Sequence, residues 1–329
     1  VENLSDRGKA WKYKDQYYSS SAGAAQIEHE WFGLPWFCGV YTTFYNKVAF
    51  KEAGLTEADV PKTWEELYSL APKLSVDKDG DGVIDQWTWI WGAAGDEGPS
   101  EVYEHAQQYG GTVLDEDGNV AIDSWPWIQA LNDLSNAIVL KVSPPETVSI
   151  DWAMRDRHFA EGYSVFFIYH NWVNHAASMM KGPDGSPAVG VAPYLYPTAM
   201  GPGSRKSTVG GSNLVVYKDA KNKEGAWKWI KFMSSPEGQK IWIENTMFTP
   251  TSRIVGESAT VQDNPYLKAA LEAIDLTNRP PEVPGWDIWI YEDARIILQN
   301  MLLGKYTPEQ AASHMARTLQ IRVDEVRNQ

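Results

Sequence analysis

One cysteine stands in 329 residues. Cys38 has no partner for an internal disulfide, so packing and hydrogen bonds must hold the fold. It follows the apolar run Leu34-Pro35-Trp36-Phe37 and reads as a small buried hydrophobe, not a nucleophile. A lone cysteine does not decide the compartment. Positive charge is also scarce: 29 Lys and Arg stand against 43 Asp and Glu, for a formal net charge of -14. Nucleic acid demands clustered Lys and Arg, and no basic stripe is present. Long apolar runs are lacking too. The longest, around residues 163–169, falls far short of the ~20 residues that span a bilayer. The first eleven residues are polar and charged, so either a leader was removed or the chain begins part-way into the protein.

Catalytic signatures are missing as well. The six His form no H-x-x-x-H or H-E-x-x-H pattern, which argues against a zinc centre and against any metal cofactor of that kind. There is no G-x-S-x-G, no P-loop and no G-x-G-x-x-G. Paired carboxylates, as in a glycoside hydrolase, are available at Asp96 with Glu97 and at Asp287 with Glu292. Nothing in the sequence assigns an acid and a nucleophile to either pair.

Aromatic residues are abundant instead. The chain holds sixteen Trp and sixteen Tyr. Several Trp sit beside Gly, Pro or Asn instead of at core spacing: Trp36, Trp125, Trp127, Trp172, Trp286 and Trp289. The competing reading for each is core packing. As a set they suit a ligand with flat apolar faces and polar edges, the shape of a pyranose sugar.

Strand-like and helix-like segments alternate, which predicts an α/β fold. Strands are expected at residues 40–45, 86–91, 163–169, 189–194 and 212–217. Helices are expected at 46–53, 63–74, 102–109, 124–140, 151–162, 172–180, 223–233, 236–244, 265–274, 289–303 and 307–326. Thr63 is placed as an N-cap, with Glu66 three residues on in the capping-box pattern. Asp77, Asp79, Asp81 and Asp85, with Gly82 at the sixth position, match an EF-hand-type loop and predict a structural calcium. Position twelve is Thr88, not the bidentate Glu. The alternative is an Asp/Gly turn held by its own hydrogen bonds.

Five segments, in order, carry a resemblance. They are Gly33-Leu34-Pro35-Trp36 with Tyr45-Asn46-Lys47; Pro61 through Leu67; Phe159-Ala160-Glu161-Gly162 leading to Asn171-Trp172; Gly210-Gly211 through Lys223-Glu224-Gly225-Ala226-Trp227 to Ser235-Pro236-Glu237-Gly238 and Pro250-Thr251-Ser252-Arg253; and Gly304 through Ala312. Together they resemble the family-1 extracellular solute-binding proteins, the maltose-type sugar receptors of ABC importers. The strand-helix-strand region that opens the family's first lobe has no counterpart here.

The resemblance implies a type II periplasmic-binding-protein fold with discontinuous lobes joined by a hinge. Residues 1–35 and 208–255 would form the first lobe, and residues 36–207 and 256–329 the second. It also implies an extracytoplasmic, monomeric receptor without a cofactor. Such a receptor is held to the cell surface by a lipid or free in the periplasm, and it delivers a sugar to membrane permease subunits. Trp172 falls where the resemblance places a ligand-stacking aromatic. Gly210 and Gly211 lie where the chain returns to the first lobe, and they let backbone amides approach hydroxyls closely. Asn213, Trp36, Trp289 and Tyr291 complete the expected site. The rival ligand is a non-sugar solute such as a phosphorylated polyol or a peptide. An anion of that kind would demand a cleft Arg or Lys, for which Arg205 and Arg279 are the candidates.

Overall fold

The computed structural model describes residues 1–170, 174–279 and 281–327. Two sheets organise it. The larger has four strands in the order Trp87–Trp89, Ser164–His170, Tyr41–Asn46, Val189–Pro193. Tyr41–Asn46 runs antiparallel to both of its neighbours, and Trp87–Trp89 runs parallel to Ser164–His170. Alternation along each strand divides the side chains between two faces. Tyr41, Tyr45, Phe166 and Ile168 enter the largest core. Phe44, Phe167 and Val189 enter a second cluster with Phe159 and Tyr266. A sheet covered on both faces has little polar alternation to show, which is why residues 163–169 read as a continuous apolar run.

The smaller sheet centres on Gly33–Gly39, antiparallel to Gly210–Val215 and to Thr249–Pro250. It has its own core, which includes Leu4, Trp11, Trp31, Leu34, Trp227 and Ile230. The register slips between Pro35 and Phe37, so Trp36 is the extra residue of a β-bulge. Proline donates nothing to a ladder, and a bulge is one of the few places where a strand accepts it. This strand was not expected from the sequence, because Pro35 argues against one.

The two sheets are linked directly. Gly33–Gly39 passes through Val40 into Tyr41–Asn46. Tyr18, Cys38, Val40, Val209, Ala270 and Ile274 pack together around that junction. Burial pushes the Cys38 thiol up to about 12, which keeps it an inert hydrophobe. A second passage is the short parallel pair Ser207–Thr208 and Thr277–Asn278. It is clamped from the helix Glu97–Gln108. The Thr208 N–H donates to Glu104 Oε2 at 2.7 Å, and Gln107 Nε2 donates to Thr208 Oγ1 at 3.1 Å. Asn278 Nδ2 donates to Gln107 Oε1 at 2.8 Å.

Most helices lie where periodicity and caps place them. The differences are local. Helix Glu97–Gln108 begins five residues before the expected start at 102, with Pro99 in its first turn, where a missing N–H costs nothing. Thr63 Oγ1 accepts from the Glu66 N–H, but the Glu66 carboxylate takes the N–H of Lys62 and not that of Thr63. Only half of the capping box forms. The last-but-one helix starts at Trp286 and contains a π-helical turn, Ile290–Ala294. The Ser-rich stretch Ser19–Ala24 is a short helix.

Helix Pro265–Ile274 spans the two linked regions, contributing Tyr266 to one cluster and Ala270 and Ile274 to another. Its N-cap Asn264 accepts from the N–H groups of Tyr266 and Leu267. Asn264→Ala should lower the unfolding free energy by about 0.5–2 kcal/mol. Urea denaturation followed by tryptophan fluorescence measures this, and an unchanged midpoint would remove the cap from the account.

Candidate ligand-binding cleft

Helix Trp152–Ala160 opens with Asp151 as its N-cap, whose carboxylate accepts from the Met154 N–H. Phe159 and Arg155 lie four residues apart and so share a helix face, and both are buried. Arg155 is 2% exposed and lies over the Tyr169 ring at 3.8 Å. Its Nη1 is 3.7 Å from Glu101 Oε1 and its Nε is 3.9 Å from Asp156 Oδ1. Both pairs are too long for hydrogen bonds, and neither nitrogen has a hydrogen-bond partner.

This guanidinium forms part of the floor of a cavity of about 470 Å3. Asp96 and Glu97 line it from the loop and first turn before Gly98, and Trp152 and Asp156 line it from the helix of Arg155. Phe167, Tyr169 and His170 come from the end of the large sheet, Tyr291 from the π-helical turn, and Phe248 from the segment leading into the small sheet. Phe248 stacks on Phe37 at 4.6 Å, and Phe37 lies edge-on to Trp36 at 5.0 Å. The cavity therefore sits where the two sheets meet.

Burial controls the charges here. It pushes the carboxyl groups of Glu101 and Glu104, beneath the floor, up to about 8, although Arg155 pulls against the shift at Glu101. Glu97 and Asp156 are raised for the same reason. His170 is driven down to about 4 by burial, so it is neutral at pH 7.

The residues singled out in the sequence separate into groups. Tyr291 lines the cavity and is 55% exposed. Trp172 lies outside the described residues. Trp36 is half-buried and packs on Trp242 at 4.4 Å. Asn213 donates to the Ala24 carbonyl at 2.9 Å, so its amide ties strand to helix. Gly210 and Gly211 have a steric reason. A Cβ on Gly210 would lie 2.7 Å from His170 Nε2, and one on Gly211 would lie 2.3 Å from the Phe37 carbonyl oxygen.

Trp289 corrects an expectation. It is 1% exposed, and its indole N–H donates to Met315 O and Thr318 Oγ1. It belongs to the core and offers no stacking face. Of the two suggested anion-binding arginines, Arg205 stacks on Tyr196 at 4.8 Å and Arg279 pairs with Glu282 at 2.7 Å. Neither lines the cavity. Asp96 and Glu97 entered the sequence reading only as a rival acid pair, and Arg155 was missed. The signal for Arg155 was a charged residue on the apolar face of a helix, four residues before Phe159.

The Asp loop is separate from this cavity. Asp77, Asp79 and Asp85 each bring one carboxylate oxygen within 4.8 Å of the others. Asp81 lies outside that group, and its Oδ1 accepts from the Val83 N–H at 2.7 Å. Asp77 accepts from the N–H groups of Gly80 and Gly82. Thr88 is fully buried, sharing a hydrogen bond with Ser75 Oγ at 2.9 Å.

The cavity thus combines aromatic walls, carboxyl groups and a guanidinium in its floor between the two sheets, a lining that suits a small polar solute. The chain belongs to the bacterial extracellular solute-binding protein family, whose model matches residues 3–240. It is similar to the sn-glycerol-3-phosphate-binding periplasmic protein UgpB of Escherichia coli K12, at 24% identity over 82% of this chain and 61% of that protein. Among solved structures it is similar to maltose-bound MalE3 of T. maritima, with a TM-score of 0.82 and 23% identity over 98% of this chain and 80% of that one. It is also similar to the GacH receptor of Streptomyces glaucescens, with a TM-score of 0.81 and 22% identity over 99% and 79%. The fold is the two-lobed α/β fold of these periplasmic binding proteins. Among the described residues no helix is long and apolar enough to cross a membrane.

Two substitutions separate core from cavity. Trp289→Ala should cost about 3–5 kcal/mol of stability, whereas Tyr291→Ala should stay within about 1 kcal/mol. Chemical denaturation of both variants decides. Equal losses would mean that the two positions are not placed as described.

Proposed function

We propose that this chain is the sugar-binding receptor of an ABC importer and that the saccharide lies in the cavity floored by Arg155 and Tyr169. The observation that carries this is the cavity wall: Trp152, Tyr291 and Phe248 offer rings, while Asp96, Glu97 and Asp156 offer hydrogen-bond acceptors. Pyranose C–H faces pack on rings, and hydroxyls donate to carboxylates. Trp172, two residues beyond the strand Ser164–His170 in the sequence, would add another indole. The similarity to a maltose-bound protein supports the same reading.

Within this reading the small sheet and its core form one lobe and the large sheet and its core the other, so the first crossing falls at Val40 and not between residues 35 and 36, where it would cut the strand Gly33–Gly39. The separate cores of the two sheets support that division. Closure would turn about the junction at Val40 and the passages near Thr208 and Asn278. The receptor acts outside the cytoplasm as a monomer, held to the surface by a lipid or free in the periplasm. It passes its sugar to permease subunits driven by a separate ATPase and does not cleave it. A phosphorylated polyol or a peptide is the weaker reading, since among the described residues the one arginine lining the cavity, Arg155, has Glu101 and Asp156 within 4.0 Å to offset its charge. The loop of Asp77, Asp79 and Asp85 would hold a structural calcium. Millimolar calcium added to chelator-treated protein should then raise its melting temperature, and no shift would end that part of the proposal.

A thermal-shift screen against mono- and oligosaccharides tests the main claim, because a ligand of the native state alone raises the melting point. For a saccharide that does so, Trp172→Ala and Tyr291→Ala should each weaken calorimetric binding about tenfold, or roughly 1.4 kcal/mol. No reducing sugar should be released on prolonged incubation. Release would make the protein a hydrolase, and a panel without any stabilising sugar would remove the sugar reading.

A further inference from the structure

We infer that the cleft favours a saccharide carrying a protonated amino group over the same saccharide without one. This rests on the sugar reading and deepens it. Among the lining residues the ionisable groups able to carry charge near neutral pH are Asp96, Glu97, Asp156, Arg155 and His170. His170 is neutral there, because burial pulls it down to about 4. One cation therefore faces three carboxyl groups. That cation lies on the Tyr169 ring, and its charge is offset by Glu101 at 3.7 Å and Asp156 at 3.9 Å.

Among the described residues neither Asp96 nor Glu97 forms an ion pair within 4.0 Å, and Arg155 attracts Glu97 only from beyond that distance. Glu97 is 7% exposed, and its Oε2 has no hydrogen-bond partner. A buried acceptor in that state carries its full desolvation cost. A neutral ligand that closes the cleft removes more water from these carboxylates and supplies only hydroxyl donors. An ammonium group supplies the missing charge and three N–H donors. The walls favour it too. Tyr291 and Trp152, 55% and 59% exposed, border the same cavity as Asp96 and Glu97, and aromatic faces attract a desolvated cation. Burial raises the Tyr291 phenol, and Asp96 lies near enough for its negative charge to add to that shift, which places one ring and one carboxylate side by side.

The test uses matched pairs: glucose with glucosamine, galactose with galactosamine, mannose with mannosamine, and the corresponding oligomers, at a pH where the amine is protonated. Thermal shift finds the pairs that bind, and calorimetry gives the ratio. The amino member should bind roughly tenfold tighter or better, and the ratio should fall toward one in Glu97→Gln. Asp96→Asn should reduce it as well, which keeps the test open if Glu97→Gln does not fold. A neutral member that binds as tightly as its amino partner would overturn this inference and leave the sugar reading standing. If no member of any pair raises the melting temperature, the sugar reading fails and this inference fails with it.

Discussion

No side chain fits at Gly210 or Gly211. One position is closed by the His170 imidazole and the other by the Phe37 carbonyl. That steric limit lets the edge of the small sheet approach the end of the large one. The strand Gly33–Gly39 continues into Tyr41–Asn46 across the same region, so the sheets are joined beside these close approaches. The cavity is what remains beside this junction. Its walls come from both sides because the chain crosses there more than once. Gly211 also takes a φ of +124, a backbone region that residues with a Cβ rarely enter.

The floor shows how charge is managed in a space with little water. Arg155 is held by a ring and by carboxylates that stand too far away for hydrogen bonds. Glu101, 3.7 Å from Arg155, and Glu104, one turn along the same helix, are buried and raised by desolvation. Glu104 also grips the passage at Thr208. The helix Glu97–Gln108 thus serves two purposes. Its first turn places Glu97 at the cavity, and its last turns hold the second connection between the sheets. Loosely paired buried charge is costly. It persists at sites where a ligand completes the set of contacts.

Much of the fold was legible in the sequence. Caps and 3.6-residue periodicity located the long helices, and apolar runs located the large sheet. In the small sheet the strand at 212–217 was legible, observed as Gly210–Val215, but the central strand Gly33–Gly39 was hidden, because Pro35 and the flanking glycines argue against a strand until the bulge at Trp36 is seen. The cavity was legible only in part. Tyr291 and Trp289 are two residues apart and look alike in sequence. A π-helical turn begins between them, and one side chain lines the cavity while the other fills the core. Residue spacing does not reveal a π turn. Arg155 left a faint trace as a charge on an apolar helix face. The pairing of Asp96 and Glu97 with aromatic walls depends on contacts between segments far apart in the chain.

The central claim is that a saccharide held between two lobes draws them together about this glycine-packed junction. Small-angle scattering with and without a saturating, calorimetrically verified sugar tests it most directly. The radius of gyration should fall on binding, because hinge closure compacts the molecule. Superimposable profiles for a protein shown to be saturated would contradict the account.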